Sequence, residues 1–182
     1  MSGGRAVDLL LSVPEHKATS DDGVSTKLLR IAAPASADSL RQLINYCIDT
    51  QTSPTKWKVG KATPTYMEQG SYDDKNNYRP ITVLLILSKL FEKYICDYLY
   101  DFLEKNALLH HLQSGFHKFY SNETALTRLV DQLFLDLDKN RATRLVFIDY
   151  KKAFDLIDLG LLLTKLNVSG IYGNELNLLR TI

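Results

Sequence analysis

One carboxylate in this chain follows directly on a segment that predicts a strand. Asp149 comes after the apolar run 145–148, and a short helical pattern over residues 153–156 follows it. An uninterrupted apolar run of this length is typical of a buried strand, which would carry Asp149 to the edge of a sheet. Carboxylate oxygens are ligands that Mg²⁺ prefers. Asp149 is therefore a candidate metal ligand at a place where a triphosphate could also bind; the alternative is a solvated carboxylate at a strand end.

The residues around Asp149 make the first interpretation more specific. Residues 147–155, Phe-Ile-Asp-Tyr-Lys-Lys-Ala-Phe-Asp, resemble the first palm motif of reverse transcriptases from non-LTR retrotransposons, the LINE and jockey-like elements. The resemblance implies that Asp149 binds both catalytic Mg²⁺ ions. It also implies that Phe154 is the steric gate beneath the incoming sugar, where a bulky ring excludes a ribose 2′-hydroxyl. The implied reaction is RNA-templated DNA synthesis from deoxynucleoside triphosphates on a DNA primer, by a two-metal mechanism.

Further motifs match the same family in the same order, from about Lys17 to Ile182. They are Trp-Lys-Val at 57–59, Asn-Tyr-Arg-Pro-Ile-Thr at 77–82, Leu-Ser-Lys-Leu-Phe-Glu-Lys at 87–93, Gln-Ser-Gly-Phe at 113–116 and Ser-Asn-Glu-Thr-Ala-Leu at 121–126. By resemblance, Arg79 contacts the nucleotide phosphates, Gln113 lines the template path and Lys152 contacts phosphate. From the residues alone these remain a surface arginine, a loop amide and, with Lys151, a solvated lysine pair.

Four positions depart from the family pattern. Met67 and Glu68 stand where the family has one or two lysines that reach the triphosphate, and a carboxylate there would repel phosphate. His117 replaces an arginine, so a fixed positive charge is lost. Phe119 replaces the glycine that follows in the family motif. These departures predict a weaker hold on phosphate than in the family.

The other catalytic carboxylates of the family are missing from the sequence. In the family they lie on a later hairpin with an Asp-Asp pair, whereas Tyr72-Asp73-Asp74 precedes the palm motif and falls in a polar turn. Asp155 and Asp158 fit helix-start or structural carboxylates. We therefore expect a truncated fragment that is inactive as this chain alone and that would need the remainder of the polymerase on another chain. The alternative is a non-catalytic nucleic-acid-binding or scaffolding remnant of a mobile element.

Composition places the chain among ordered globular proteins. It is 45% hydrophobic and 24% charged, with a formal net charge of +1 that neither requires nor excludes a basic cleft. Cys47 and Cys96 fall in helical patterns and fit small buried hydrophobes, a disulfide or metal pair being the alternative. No signal peptide is visible and no apolar stretch is long enough to span a bilayer. We expect an intracellular protein, nuclear or cytoplasmic, without a membrane partner.

The pattern of elements predicts an α+β fold, mostly helical with a few strands, resembling the fingers and the N-terminal part of the palm of a reverse transcriptase. Helices are predicted after caps at Ser25, Ser36 and Ser121 (or Asn122), and over 87–103. Short helices are predicted over 161–166 and 175–180. Strands are predicted over 57–66 and 144–150, and a hairpin tip over 70–77. The predicted organisation is a partly ordered lead-in at 1–19, a fingers-like region at 20–142 and the start of a palm at 143–182.

Overall fold

The computed structural model describes residues 1–15, 23–68, 70–150, 153–154 and 156–182. Its elements follow one another in the order α1 Gly3–Leu11, α2 Thr26–Ile31, α3 Ala33–Thr50, β1 Lys61–Tyr66, β2 Tyr78–Val83, α4 Ile86–Lys105, α5 Asn122–Asp138, α6 Leu159–Val168 and α7 Gly173–Thr181. Short 3-10 turns occupy Thr55–Lys58 and Lys75–Asn77. The predicted α+β class, mostly helical, is confirmed at this level.

The chain divides into two compact units. Unit 1 comprises Met1–Tyr100 and Leu163–Ile182, and unit 2 comprises Asp101–Leu162. This division follows the packing; the fingers and palm boundaries predicted from the sequence stay predictions.

Unit 1 is built around one hydrophobic core. Its buried members are Ala6, Leu9, Leu10, Ala33, Ala37, Leu40, Ile44, Cys47, Trp57, Ile86, Leu90, Phe91, Tyr94 and Leu178. They come from α1, α3, α4, α7 and the turn that holds Trp57, so residues far apart in sequence close the same core. The Trp57 ring packs 5.4 Å from the Phe91 ring, and the buried Ser88 hydroxyl donates to the Trp57 carbonyl at 3.2 Å. These contacts attach the segment before the hairpin to α4.

Helix α1 differs from the sequence prediction, which is a partly ordered lead-in at residues 1–19. Ser2 caps α1, and Ala6, Leu9 and Leu10 are buried in the core. The two glycines that open the helix lower its intrinsic propensity, so its stability comes from the apolar face that it packs against α3. Residues 16–19 of the predicted lead-in lie outside the described part of the chain.

Helix starts test the predicted caps. Ser25 caps α2 by accepting from the Leu28 amide at 3.1 Å, and Ser121 forms a capping box with Thr124 at the start of α5. Both predictions are confirmed. The cap predicted at Ser36 is wrong, because α3 begins at Ala33 and Ser36 lies inside it, donating to the Ala32 carbonyl at 2.9 Å. Pro34 in the first turn explains the earlier start, since it needs no amide partner there.

The two strands form an antiparallel hairpin, with Lys61 opposite Val83 and Tyr66 opposite Tyr78. The strand predicted over 57–66 is shorter than expected because Trp57 lies in a 3-10 turn and is buried in the core. The Met67 amide donates to the Asn77 carbonyl at 2.8 Å, so these two residues form a hydrogen-bonded pair. Because bonded and non-bonded pairs alternate along an antiparallel ladder, this pair determines the type of all the others. Pro64 and Pro80 face each other at a non-bonded pair, so no ladder bond is lost to either proline.

The strand predicted over 144–150 is wrong. None of these residues is in a strand, and Phe147 is 83% exposed. A buried strand needs a neighbouring strand and apolar layers on its faces, and no described segment pairs with residues 144–150. More generally, no described residue of unit 2 is buried.

The two cysteines differ in their surroundings. Cys47 is buried as predicted, and burial raises the pKa of its thiol, but Cys96 is exposed on α4, so that prediction is wrong. The α4 stripe that faces the core runs through Leu90, Phe91 and Tyr94, and Cys96 falls beside it. Both thiols are free. Among the helices, none in the described ranges is long and apolar enough to cross a membrane.

Candidate functional site

Arg79 is an exposed residue of the hairpin, in the second of the six strand pairs counted from the turn. It pairs with Thr65 across the two strands, which fixes the direction of its Cα–Cβ bond. Its Nε donates to the Met67 sulfur at 3.0 Å. A guanidinium on a bonded strand can present its terminal nitrogens to phosphate as a planar fork. This geometry is compatible with the phosphate-contacting role predicted for Arg79.

The tip of the same hairpin is held by three tyrosines. The rings of Tyr66 and Tyr72 stack with centroids 4.1 Å apart, and Tyr78 packs against Tyr66 at 5.5 Å. The Tyr66 hydroxyl donates to the Gly70 carbonyl at 2.5 Å, and the Tyr78 hydroxyl donates to the Tyr72 carbonyl at 2.9 Å. The tyrosines therefore bind the turn to the strands that carry Arg79.

Asp149 lies in an irregular exposed segment of unit 2. It is not at the end of a strand, so the local framework predicted for it is missing, although its carboxylate is accessible. Arg79 belongs to unit 1 and Asp149 to unit 2. Their meeting at one triphosphate stays a prediction.

Phe154, the predicted steric gate, also lies in unit 2 and is 71% exposed. Its ring meets the Phe116 ring edge-on, with centroids 5.7 Å apart. Phe116 belongs to the Gln-Ser-Gly-Phe motif and has a left-handed backbone conformation, φ 59°. Two of the motifs identified in the sequence therefore touch through their aromatic rings.

Gln113 is exposed in the loop before α5. Its side-chain amide donates to the Gly115 carbonyl at 3.1 Å, and its backbone amide donates to the His110 carbonyl at 2.9 Å. The His117 ring packs against the Tyr120 ring, over which Arg128 also lies at 5.6 Å. These contacts order the loop locally. They leave the predicted template contact of Gln113 a prediction, while Lys151, Lys152 and Asp155 lie outside the described residues.

Two other carboxylates near the motifs, those of Asp74 and Asp158, have structural partners. Asp158 accepts from the Leu161 amide at 2.9 Å at the start of α6, which agrees with its interpretation as a helix-start residue. Asp74 accepts from the Asn76 amide at 2.9 Å within the polar turn. Asp73 belongs to the same turn, where its amide donates to the Ser71 hydroxyl at 3.2 Å. Both residues of the Asp73-Asp74 pair are thus part of the turn between the strands.

The described residues do not assemble a two-ion magnesium site. Within the described ranges, no group of three or more His, Cys, Asp or Glu side chains could hold a metal ion. Two magnesium ions and a triphosphate need at least two converging carboxylates. Asp149 as a ligand of such a set stays a prediction, and the described residues bring no group of three or more ligands together.

Comparison with known proteins agrees with the motifs. Over 151 residues, 83% of its length, the chain is 27% identical to a probable RNA-directed DNA polymerase from transposon BS of Drosophila melanogaster. It is 24% identical over 150 residues to the probable RNA-directed DNA polymerase from transposon X-element of the same species. It is 22% identical over 150 residues to the RNA-directed DNA polymerase from mobile element jockey, also of that species.

The chain is similar to part of a non-LTR retrotransposon polymerase. The resemblance predicted from the motifs is thereby confirmed. The chain spans 16–17% of the length of these polymerase relatives. No protein-family model matches it.

One contact of the site does not follow from the motifs. By its motif, Met67 is only a departure from a family lysine, yet its sulfur accepts from Arg79. The signal that could have found this contact is the hairpin register, because Met67 follows Thr65 by two residues and Thr65 lies opposite Arg79. Side chains two apart on a strand share a face.

Proposed function

We propose that this chain is a nucleotide-binding segment of an RNA-directed DNA polymerase of a jockey-like non-LTR retrotransposon. The observation that carries the proposal is the similarity to three such polymerases along more than four fifths of the chain. The motifs identified in this sequence also occur in the order that the family resemblance implies. Its substrates would be deoxynucleoside triphosphates, an RNA template and a DNA primer. The exposed hairpin with Arg79 and the exposed carboxylate of Asp149 support it.

In this proposal the residues have distinct roles. Arg79 binds the phosphates of the incoming nucleotide, because a guanidinium forms paired charge-assisted hydrogen bonds with phosphate oxygens. Asp149 is a Mg²⁺ ligand of the assembled site. Phe154 lies beneath the sugar and excludes a 2′-hydroxyl by its bulk. Gln113 and Lys152 contact the template and the phosphates, respectively. The two-ion chemistry requires further carboxylates from the rest of the polymerase.

Nucleotide binding tests the role of Arg79. We expect Arg79→Ala to weaken binding of a deoxynucleoside triphosphate by about 10-fold or more, since hydrogen bonds to charged groups contribute roughly 1.5–3 kcal/mol. The measurement is isothermal titration or fluorescence anisotropy with the 182-residue chain. Arg41→Ala is the matched control, because Arg41 is an arginine on α3 that pairs with Asp38 at 2.8 Å. Equal affinity in wild type and Arg79→Ala would remove this role.

Primer extension tests the incomplete metal site. We expect the 182-residue chain with Mg²⁺, deoxynucleotides and a primed RNA template to give no extension. One carboxylate cannot place two divalent ions, and Met67, Glu68 and His117 supply no fixed positive charge to the phosphates. Product length on a sequencing gel measures this. Extension that disappears in Asp149→Asn would show instead that the chain assembles a working site.

A second candidate is a non-catalytic nucleic-acid-binding or scaffolding role. It is favoured by the finding that no group of three or more His, Cys, Asp or Glu side chains in the described ranges could hold a metal ion. The two candidates differ in ligand. A binding remnant would bind an RNA–DNA duplex with an affinity that falls as salt rises. Adding a deoxynucleoside triphosphate would not change that affinity. A polymerase segment would bind triphosphate, and Arg79→Ala would weaken that binding.

A further inference from the structure

The hairpin fixes one side chain beside Arg79 that no motif assigns. The Met67 amide donates to the Asn77 carbonyl at 2.8 Å, which continues the ladder by one bonded pair beyond Tyr66 and Tyr78. Met67 is therefore held by the backbone, and strand alternation places its side chain on the face shared by Thr65 and Arg79. Its sulfur lies 3.0 Å from Nε of Arg79.

The contact with Met67 uses Nε of Arg79, a nitrogen that bidentate binding of phosphate by the two terminal nitrogens leaves available. A bidentate grip on phosphate can be formed by the two terminal nitrogens, while Nε–H points to one side. Of the described carboxylates, none forms an ion pair with Arg79. The guanidinium is thus restrained through Nε by a neutral acceptor, and no carboxylate in the described part of the chain neutralises its charge.

We infer that Met67 is a positioning residue that orients the Arg79 guanidinium for phosphate. The inference rests on the proposed function and deepens it. An exposed arginine is free to sample many rotamers and loses that freedom when it binds. A thioether acceptor on a hydrogen-bonded strand reduces this loss of side-chain freedom, because the guanidinium is already restrained before phosphate binds. Unlike a carboxylate, a thioether does not compete with phosphate for the guanidinium charge. Met67 therefore takes a positional role at the place where the family has a charged lysine.

Nucleotide affinity in four variants tests the inference. Met67→Leu keeps the size and removes the acceptor, and we expect about 2- to 10-fold weaker triphosphate binding, the usual effect of having to order one flexible side chain. Met67→Gln retains an acceptor at similar reach and should restore most of the affinity. Arg79→Lys removes the Nε–H donor, so in that background Met67→Leu should have no further effect. The free energy of unfolding of each variant is measured in urea to confirm that the hairpin is intact.

The outcomes separate the inference from the proposed function. Loss of binding in Arg79→Ala but wild-type affinity in Met67→Leu would overturn the inference and leave the phosphate role standing. No effect of Arg79→Ala would overturn the phosphate role and this inference with it. An equal effect of Met67→Leu in both Arg79 backgrounds would show that Met67 does not act through Nε. Without ligand, the ¹⁵Nε–H resonance of Arg79 should shift in Met67→Leu and return in Met67→Gln, and an unmoved resonance also contradicts the inference.

Discussion

Helices α4 and α5 have the same kind of sequence and different surroundings. Both repeat apolar residues every three or four positions, and this spacing predicts an amphipathic helix in each case. In unit 1, α4 buries Ile86, Leu90, Phe91 and Tyr94 in the core. In unit 2, α5 buries no residue, and Phe134 is 62% exposed. An apolar stripe thus predicts a helix in either unit, but burial requires partner elements at matching positions.

The same difference separates the two parts of the candidate site. Arg79 is carried by a hairpin whose strands, tyrosines and turn bond to one another. Asp149 lies in a segment with high strand propensity and no strand partner among the described residues. A side chain on a bonded framework is held in place before any ligand binds. Asp149 would need further packing to reach comparable order.

Removing a large ring from each unit should give the largest contrast. We expect Phe91→Ala to lower the free energy of unfolding by about 3–5 kcal/mol, because it leaves a cavity in the core of unit 1. Phe134→Ala is the matched control in unit 2 and should cost below about 1 kcal/mol at its exposed site. Urea unfolding followed by circular dichroism measures both. Similar losses in the two variants would show that unit 2 buries Phe134 in solution.

Alkaline pH should act on unit 1 through Tyr94. Burial, with a hydrogen bond to Tyr98, raises the pKa of Tyr94 to about 12 from its usual 10. The folded state therefore keeps this proton more tightly than the unfolded state does. The resulting stability is complete below pH 10 and is lost as pH rises from 10 to 12, by at most roughly 3 kcal/mol at 1.36 kcal/mol per pKa unit.

Urea midpoints at about pH 9 and about pH 11, with tyrosinate absorbance, measure this loss on either side of the ordinary tyrosine pKa. Tyr94→Phe should reduce the alkaline loss, whereas Tyr46→Phe, which changes an exposed ring, should not. The same alkaline loss in Tyr94→Phe and wild type would assign it to another group.

A glycine substitution in each unit gives the smallest contrast. Gly70 has φ 79°, and a Cβ there would lie 2.5 Å from Nδ2 of the Asn77 side chain. We expect Gly70→Ala to destabilise the hairpin tip by about 1–2 kcal/mol, the cost of a left-handed conformation with a Cβ. Hydrogen exchange at the Met67 amide reports it. A Cβ at Gly115 meets nothing within 4 Å, so Gly115→Ala should leave the exchange of unit 2 unchanged. Equal protection at Met67 in Gly70→Ala and wild type would contradict the expected strain.

Local signals in the sequence predicted much of the fold. Ser25 and Ser121 cap helices because a side-chain oxygen next to the first turn satisfies an orphan amide wherever the rest of the chain lies. The spacing over 87–103 predicted α4, and the polar residues at 70–77 predicted the hairpin tip. The motifs predicted the similarity to retrotransposon polymerases. The starting point of α3 was missed, because Pro34 at the first turn of a helix looks in sequence like a break between two helices.

Interactions distant in sequence decided the rest. Helix α1 exists because α3 and α4 offer it a face, and α7 returns from beyond unit 2 to bury Leu178 in the core. The segment 144–150 has the composition of a strand, but backbone amides and carbonyls form a strand only with a neighbour. The sequence by itself determined which residues could do chemistry and where helices start. Only the tertiary structure decided which of these side chains are held in a fixed orientation. The contact between Met67 and Arg79, for example, exists because two strands pair and bring the residues together.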